Sequence, residues 1–147
     1  MEIEATVHGA YEETDKAVFA SLGRWIVDAE VHKRLGMAVT ARDGDVWFVI
    51  RDIIAWSPRG FAQLRPIKGG KAGHIRYLFF TPDDLAAKRH FALHVLNHAR
   101  AAGMRDVHTN DRRDSDVWPA LGFKPKDNKR SGSFIRWEWS EAKECIK

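Results

Sequence analysis

The run from His74 to Pro125 constrains the fold more than any other part of the chain, because strand, helix, strand and turn signals follow one another in it without a gap. It opens as HIRYLFFTP, in which Tyr77 to Phe80 are four consecutive apolar residues. Thr81-Pro82-Asp83-Asp84 then supplies a turn and the side chains that cap a helix. From Leu85 to Ala102 the apolar residues Leu85, Ala92, Leu96 and Ala99, flanked by Phe91, Leu93 and Val95, recur at helical spacing, and Gly103 closes the run where a left-handed residue is needed. This predicts an amphipathic helix of about five turns. RDVHTND follows as a short strand, then DRRDSDVWPALGFKP as a short helix near Ser115 to Leu121 and a Gly-Phe corner.

Upstream, Ile3, Ala5 and Val7 alternate with Glu2, Glu4 and Thr6, the period-two pattern of a half-buried first strand over residues 2 to 8. Glu12 to Ala20 and Arg24 to Leu35 predict two helices broken near Leu22-Gly23, with Trp25 and Ile26 inward. Met37 to Ala41 and Val46 to Arg51 flank Asp43-Gly44, a dipeptide suited to a tight hairpin. Ile53 to Trp56 either continues that second strand or forms a bulged connection. Gly60 to Pro66 and His74 to Phe80 predict the next two strands, and Phe123 to Lys126 pairs with Ser133 to Trp139 through a turn over Asp127 to Gly132. The sum is an α/β fold, a mixed sheet of six or seven strands with helices on both faces.

With 147 residues the chain is the size of one domain, taken as residues 1–140 with a frayed tail over 141–147. No apolar run reaches the roughly 18 residues of a membrane span, and the opening MEIEATVHGA lacks the basic-then-apolar order of a secretion signal. A cytoplasmic protein without a membrane partner is the expectation. The lone Cys145 lies in a charged tail, which fits a reducing compartment and not a thiol nucleophile. A net charge of +4 comes from clusters at Arg59 to Lys71, Lys88-Arg89, Arg112-Arg113 and Lys124 to Arg130. Such a surface suits coenzyme A phosphates or nucleic acid, and equally a plain solvated face.

The order of elements from His74 to Pro125 resembles the GNAT acyltransferase superfamily, over roughly residues 46 to 139. The resemblance implies that the edge of the strand at Leu78, Phe79 and Phe80 pairs with the pantetheine arm of acetyl-CoA or another acyl-CoA. It also implies that the pyrophosphate sits at the start of the next helix, where free N–H groups and the helix dipole favour an anion. The family writes that helix start with an Arg and glycines at alternating places; this chain has Leu85 at the Arg place and Ala86, Lys88 and His90 at the glycine places. Either Ala86 and Ala87 let the backbone approach phosphate while Lys88, Arg89 and His90 add charge, or the phosphate site has been lost.

Acyl transfer to an amine needs a base, donors for the oxyanion and an acid for the leaving thiolate. The resemblance places the base at His74, which is otherwise a surface histidine beside Gly73. It places the usual acid, a Tyr, at Trp118, and an indole cannot deliver a proton. Tyr77, His108 and Asn110 are the candidate substitutes, each also readable as a packing or capping residue. His90, His94 and His98 share one helical face, expected to be solvated and not to hold a metal. Among the six Trp, Trp25 and Trp47 read as core, Trp137 and Trp139 share one side of the last strand, and Trp56 reads as exposed near the acceptor cleft. The reading is an acyl-CoA-dependent N-acyltransferase acting on a primary amine, small or macromolecular, with a homodimer allowed by the resemblance. The alternatives are a protein of this fold that modifies or binds nucleic acid, as some phage proteins do, and a non-catalytic component of a larger assembly.

Overall fold

Val46 to Arg51 is buried at every residue and not at every second one, the mark of a strand covered on both faces. The computed structural model describes residues 1–9, 12–26, 28, 31, 33, 35, 39–81, 84–111, 116–125 and 135–141. In chain order the elements are β1 (Glu2–Val7), α1 (Glu12–Ile26), β2 (Val46–Arg51), β3 (Pro58–Ile67), β4 (Ala72–Phe80), α2 (Leu85–Ala101), β5 (Asp106–Asp111), β6 (Lys124–Pro125) and β7 (Ile135–Ser140). They form one seven-stranded sheet in the order β1-β2-β3-β4-β5-β7-β6. Among the described strands only β4 and β5 run parallel, with α2 as the crossover between them.

Side-chain alternation divides the core into two layers. Val46, Phe48 and Ile50 of β2 face α2, where Phe91, Ala92, Val95, Leu96 and Ala99 meet them. Trp47 and Val49 face α1 and pack with Val18, Leu22 and Trp25. α2 begins at Asp84, whose carboxylate accepts from the Ala87 N–H at 3.1 Å, and ends at Gly103 with φ of 87°.

Several expectations are corrected. Helix α1 runs unbroken through Leu22-Gly23, because Leu22 is fully buried against the sheet and tertiary packing offsets the helical weakness of Gly23. Val46 to Arg51 pairs with β1 and β3, and no hairpin joins it to residues 39–42; Val39 and Ala41 instead pack against the α1-side cluster. Residues 36–38 lie outside the described part. Val7 and Leu85 are exposed, Val7 because β1 is an edge strand and Leu85 because it lies at the open mouth of α2. The short helix narrows to a 3-10 turn at Pro119–Leu121, and the turn over 127–132 lies outside the described residues, as do Cys145, Arg112-Arg113 and most of the cluster from Lys124 to Arg130. Among the described residues no helix is long and apolar enough to cross a membrane.

Gly60 fixes how closely β3 approaches β4. A Cβ there would be driven into the carbonyl oxygen of Phe79 and to 3.0 Å from Phe80 Cα, both backbone atoms that cannot swing aside. Gly60→Ala is therefore expected to destabilise the fold by about 1–3 kcal/mol or more, read as a lowered midpoint in thermal unfolding. An unchanged midpoint would show that the β3–β4 spacing is not held by this contact.

Candidate active site

β4 and β5 pair over four rows, from Ala72↔Asp106 to Ile75↔Thr109, and the last row is tied by Thr109 Oγ1 donating to the Ile75 carbonyl at 2.8 Å. Beyond that row the two strands have no pairing, although β4 continues to Phe80 and β5 to Asp111. On its other side β4 stays paired with β3 to the end, with one irregularity. Leu64 opposes Ile75 and Gln63 opposes Tyr77, so Arg76 is an extra residue. A bulge bends and twists its strand, and this one lies where β4 leaves β5. It also changes which face each side chain meets: Ile75 joins the α2-side cluster while Tyr77 and Phe79 join the α1-side cluster.

His74 and His108 lie opposite each other in the third of the paired rows, and their rings stack with centroids 4.2 Å apart and planes 22° apart. Burial, then the charges of His108, Arg76, Arg136 and Arg65, push the His74 imidazole down to about 3. It is therefore neutral at physiological pH, and its Nε2 is buried with no hydrogen-bond partner among the described residues. His108 is lowered as well, by burial and then Arg136, with Glu138 opposing and Lys68 adding to the depression.

Arg65 lies opposite His74 on the other side of β4 and forms a two-pronged pair with Asp45, at 2.8 and 2.7 Å. Asp45 is completely buried. Burial by itself raises its carboxyl, but the hydrogen bonds from Arg65 and the Arg42 N–H, with the charges of Arg65 and Arg76, outweigh it and leave the group below its ordinary value. Arg76 Nη1 donates to Thr40 Oγ1 at 3.0 Å and Gln63 Oε1 at 3.1 Å. The Tyr77 hydroxyl accepts from the Thr40 N–H at 2.9 Å. These bonds tie the loop before β2 to the bulge.

Helix α1 covers the β2–β4 part of its face, whereas β5 and β7 present polar side chains there. In the cross-strand rows Ser140 opposes Asp106, Glu138 opposes His108, and Arg136 opposes Asn110. Asp106, His108, Arg136, Glu138 and Ser140, with Lys68 from the turn after β3, line a cavity of about 240 Å³. Asn110 lies two residues beyond His108, past the last β4–β5 row.

The structure thus stacks His74 on His108 one row before the last pairing of the strands, with Asn110 two residues further along β5. Tyr77 is buried among aromatic residues, and its hydroxyl accepts from the Thr40 N–H. Leu78, Phe79 and Phe80 form the parted edge of β4; the Phe79 and Phe80 rings are buried in opposite clusters, so only the backbone faces the gap. At the start of α2, Ala86 is exposed, Ala87 half-buried, Lys88 buried, and Arg89 and His90 exposed. Arg89 donates to the Asp116 carbonyl at 3.3 Å. Lys88 is thus not the exposed cation expected there: on a helix that lies on the sheet it falls on the same face as Phe91, Ala92 and Val95. Trp118 is buried in the α2-side core.

The histidine face of α2 is solvated as expected, with His90 and His94 exposed and His98 half-buried. His94 and His98 lie edge-on to Phe48, at 6.3 and 5.1 Å between centroids, and burial lowers both. No metal-binding group of three occurs among the described residues. Trp56 is exposed, but in the loop after β2, at the end of the sheet away from His74. Missed from the sequence were Arg76 and Glu138, while Arg136 and Lys68 were read only as part of a basic surface suited to a polyanion. The alternation in IRWEWS held the signal for two of them, since placing Trp137 and Trp139 in the core sends Arg136 and Glu138 to the other face.

A mixed sheet whose one parallel pair is crossed by a helix and then parts at a bulge is the architecture of the GNAT acyltransferases, and the chain has this fold. It is similar along its length to solved structures of low sequence identity. The apo form of TofI matches with a TM-score of 0.70 at 15% identity, covering 96% of this chain and 91% of that one. Aminoglycoside 6'-acetyltransferase type Ii matches with a TM-score of 0.63 at 12% identity, covering 97% and 98%. N-acetylglutamate synthase from Neisseria gonorrhoeae, complexed with coenzyme A and N-acetyl-glutamate, matches with a TM-score of 0.57 at 12% identity, covering 97% of this chain and 36% of that one. No protein-family model and no curated protein sequence matches the chain.

Proposed function

We propose that the protein is an N-acyltransferase that moves an acyl group, acetyl by family default, from an acyl-CoA to a primary amine. The observation that carries this reading is the parting of β4 from β5 at Arg76, which leaves a strand edge of five residues, Arg76 to Phe80, facing a gap. A bound acyl-CoA supplies the activated thioester. Backbone groups along Leu78, Phe79 and Phe80 orient its pantetheine arm as an extra strand would be oriented. The bulge at Arg76 turns backbone donors toward the gap, where an oxyanion forms. Of the two histidines, His108 is the better base, because it borders the cavity while His74 is held at about 3. His74 supports the stacked ring and keeps it in place. Asn110 lies on the acceptor side of the gap. No acid is assigned among the described residues, because a thiolate leaves without one.

The phosphate end fits less completely. The Asp84 carboxylate occupies the Ala87 N–H and adds negative charge where a pyrophosphate is expected. Ala86, Arg89 and His90 are the exposed groups at this helix start. Asp84→Asn keeps a capping oxygen and removes the charge, so CoA should bind about two- to fivefold tighter, from about 0.5–1 kcal/mol of helix-end electrostatics. Arg89→Gln should weaken CoA binding without touching the core, which Lys88 substitutions cannot avoid. The test is calorimetric titration of the purified protein with acetyl-CoA and CoA. Saturable micromolar binding that tightens in Asp84→Asn is expected; no binding at millimolar ligand would overturn the reading.

A further inference from the structure

The cavity beside His108 carries charges of both signs in a particular arrangement. Arg136 Nε and Glu138 Oε1 lie 3.4 Å apart, with side chains 43% and 32% exposed, on the floor that α1 leaves uncovered. Glu138 is directly opposite His108, and Arg136 is one row nearer the gap, opposite Asn110. Lys68 lines the cavity as well, and Ser140 Oγ donates to Asp106 Oδ1 at 2.7 Å, which anchors that corner. Arg136, Glu138 and Lys68 line the same cavity as His108.

We propose that this cavity holds the acceptor and that the acceptor is an α-amino acid. The inference rests on the acyltransferase reading and names the substrate class of that site. In an α-amino acid the ammonium and carboxylate are borne by one carbon, so a receptor needs an anion and a cation side by side. Glu138 and Arg136 are such a pair, with Glu138 next to the base and Arg136 beside it; Lys68 adds a second cation for the carboxylate or for an acidic side chain. A simple alkylamine would draw Glu138 away from Arg136 and return no anion to it or to Lys68, and a polyamine would meet two repelling cations. The 240 Å³ volume is enough for a single small molecule. In the reaction His108 takes a proton from the ammonium held by Glu138. The amine nitrogen bonds to the thioester carbonyl carbon, the carbon–sulfur bond breaks, the nitrogen gives up its second proton to solvent as the amide forms, and the CoA thiolate leaves to be protonated from solvent.

The experiment compares matched acceptors with acetyl-CoA as donor and release of CoA thiol as readout: L-serine with ethanolamine, L-phenylalanine with phenethylamine, L-lysine with cadaverine. The amino acid of at least one pair should have a kcat/KM on the order of 100-fold above its decarboxylated partner. Arg136→Gln should raise KM for that amino acid about tenfold or more, with CoA affinity as the control for folding. Equal or faster turnover of the amines would overturn the acceptor class while leaving the acyltransferase reading intact. Loss of CoA binding would sink the acyltransferase reading alone. Ligand-observed NMR with the same pairs reports on the cavity in either case: amino acids should bind, amines should not, and Arg136→Gln should abolish the contrast. Absence of amino-acid binding at millimolar concentration would overturn the proposal whatever the CoA result.

Discussion

Asp45→Ala is expected to destabilise the protein by about 3–5 kcal/mol, because it removes one partner of a buried ion pair and leaves the other charge in place. Asp45 is fully buried and receives two hydrogen bonds from Arg65 and one from the Arg42 N–H. The Arg65 side chain is 14% exposed, too little for water to replace a carboxylate. For a chain of this size such a loss lowers the thermal midpoint by roughly 10 °C. Replacing both partners by apolar residues should recover much of the loss, since the expense lies in an unmatched charge and not in the absence of a salt bridge. A double variant no more stable than Asp45→Ala would contradict this. The pH dependence has a definite sign. Asp45 is depressed in the folded state, so its contribution is complete at neutral pH and is lost as pH falls below the ordinary 3.8 toward the depressed value. The single variant should therefore show a flatter loss of stability with acid than the parent.

That ion pair also shows where sequence reading stopped. Asp43-Gly44 has the composition of a hairpin turn, and it was natural to place Met37 to Ala41 as the paired strand. The turn is present, with Gly44 at φ of 91°, but it leads the chain into β2 from a loop whose own partner is His8 at the end of β1. Local turn chemistry cannot say which distant strand will take the ladder. Asp45, one residue past the turn, acquires its meaning only through Arg65, twenty positions away on β3. The same limit applies to Arg76. Apolar alternation predicts β4 well, but a bulge is a mismatch between two strands and is invisible in either one alone.

What periodicity could carry, it carried. The strand over His74 to Phe80, the helix after it and the strand from Asp106 were all legible, because strong local patterns agreed there with the tertiary fold. The site was legible in part. His74 and His108 were each marked as candidates, but nothing in the sequence put them in the same cross-strand row, since that depends on the parallel register across α2. The cationic start of α2 misled in the other direction. Lys88 and Arg89 look alike in sequence, yet a turn of 100° per residue buries the first and exposes the second.

His108→Gln is expected to reduce kcat by about 10²- to 10⁴-fold, the usual contribution of a positioned base, with CoA affinity unchanged. Glutamine keeps polar volume in the cavity and cannot accept a proton. His74→Gln should have a smaller effect that falls on both kcat and stability, because His74 stays neutral and acts through the stacked ring of His108. The pH profile separates the two roles. His108 is depressed below its ordinary 6.5 by burial and Arg136, so it is deprotonated and competent at neutral pH. In the parent, kcat/KM should rise with pH through a value below 6.5 and stay level until the acceptor itself titrates. Glu138→Gln removes the one carboxylate that raises His108, so this limb should move to lower pH, whereas Arg136→Gln should move it higher. Opposite displacements of one limb by neighbouring substitutions are not produced by a residue that merely packs. Activity within tenfold of the parent in His108→Gln would remove His108 from the base role and leave the acceptor amine to lose its proton to water.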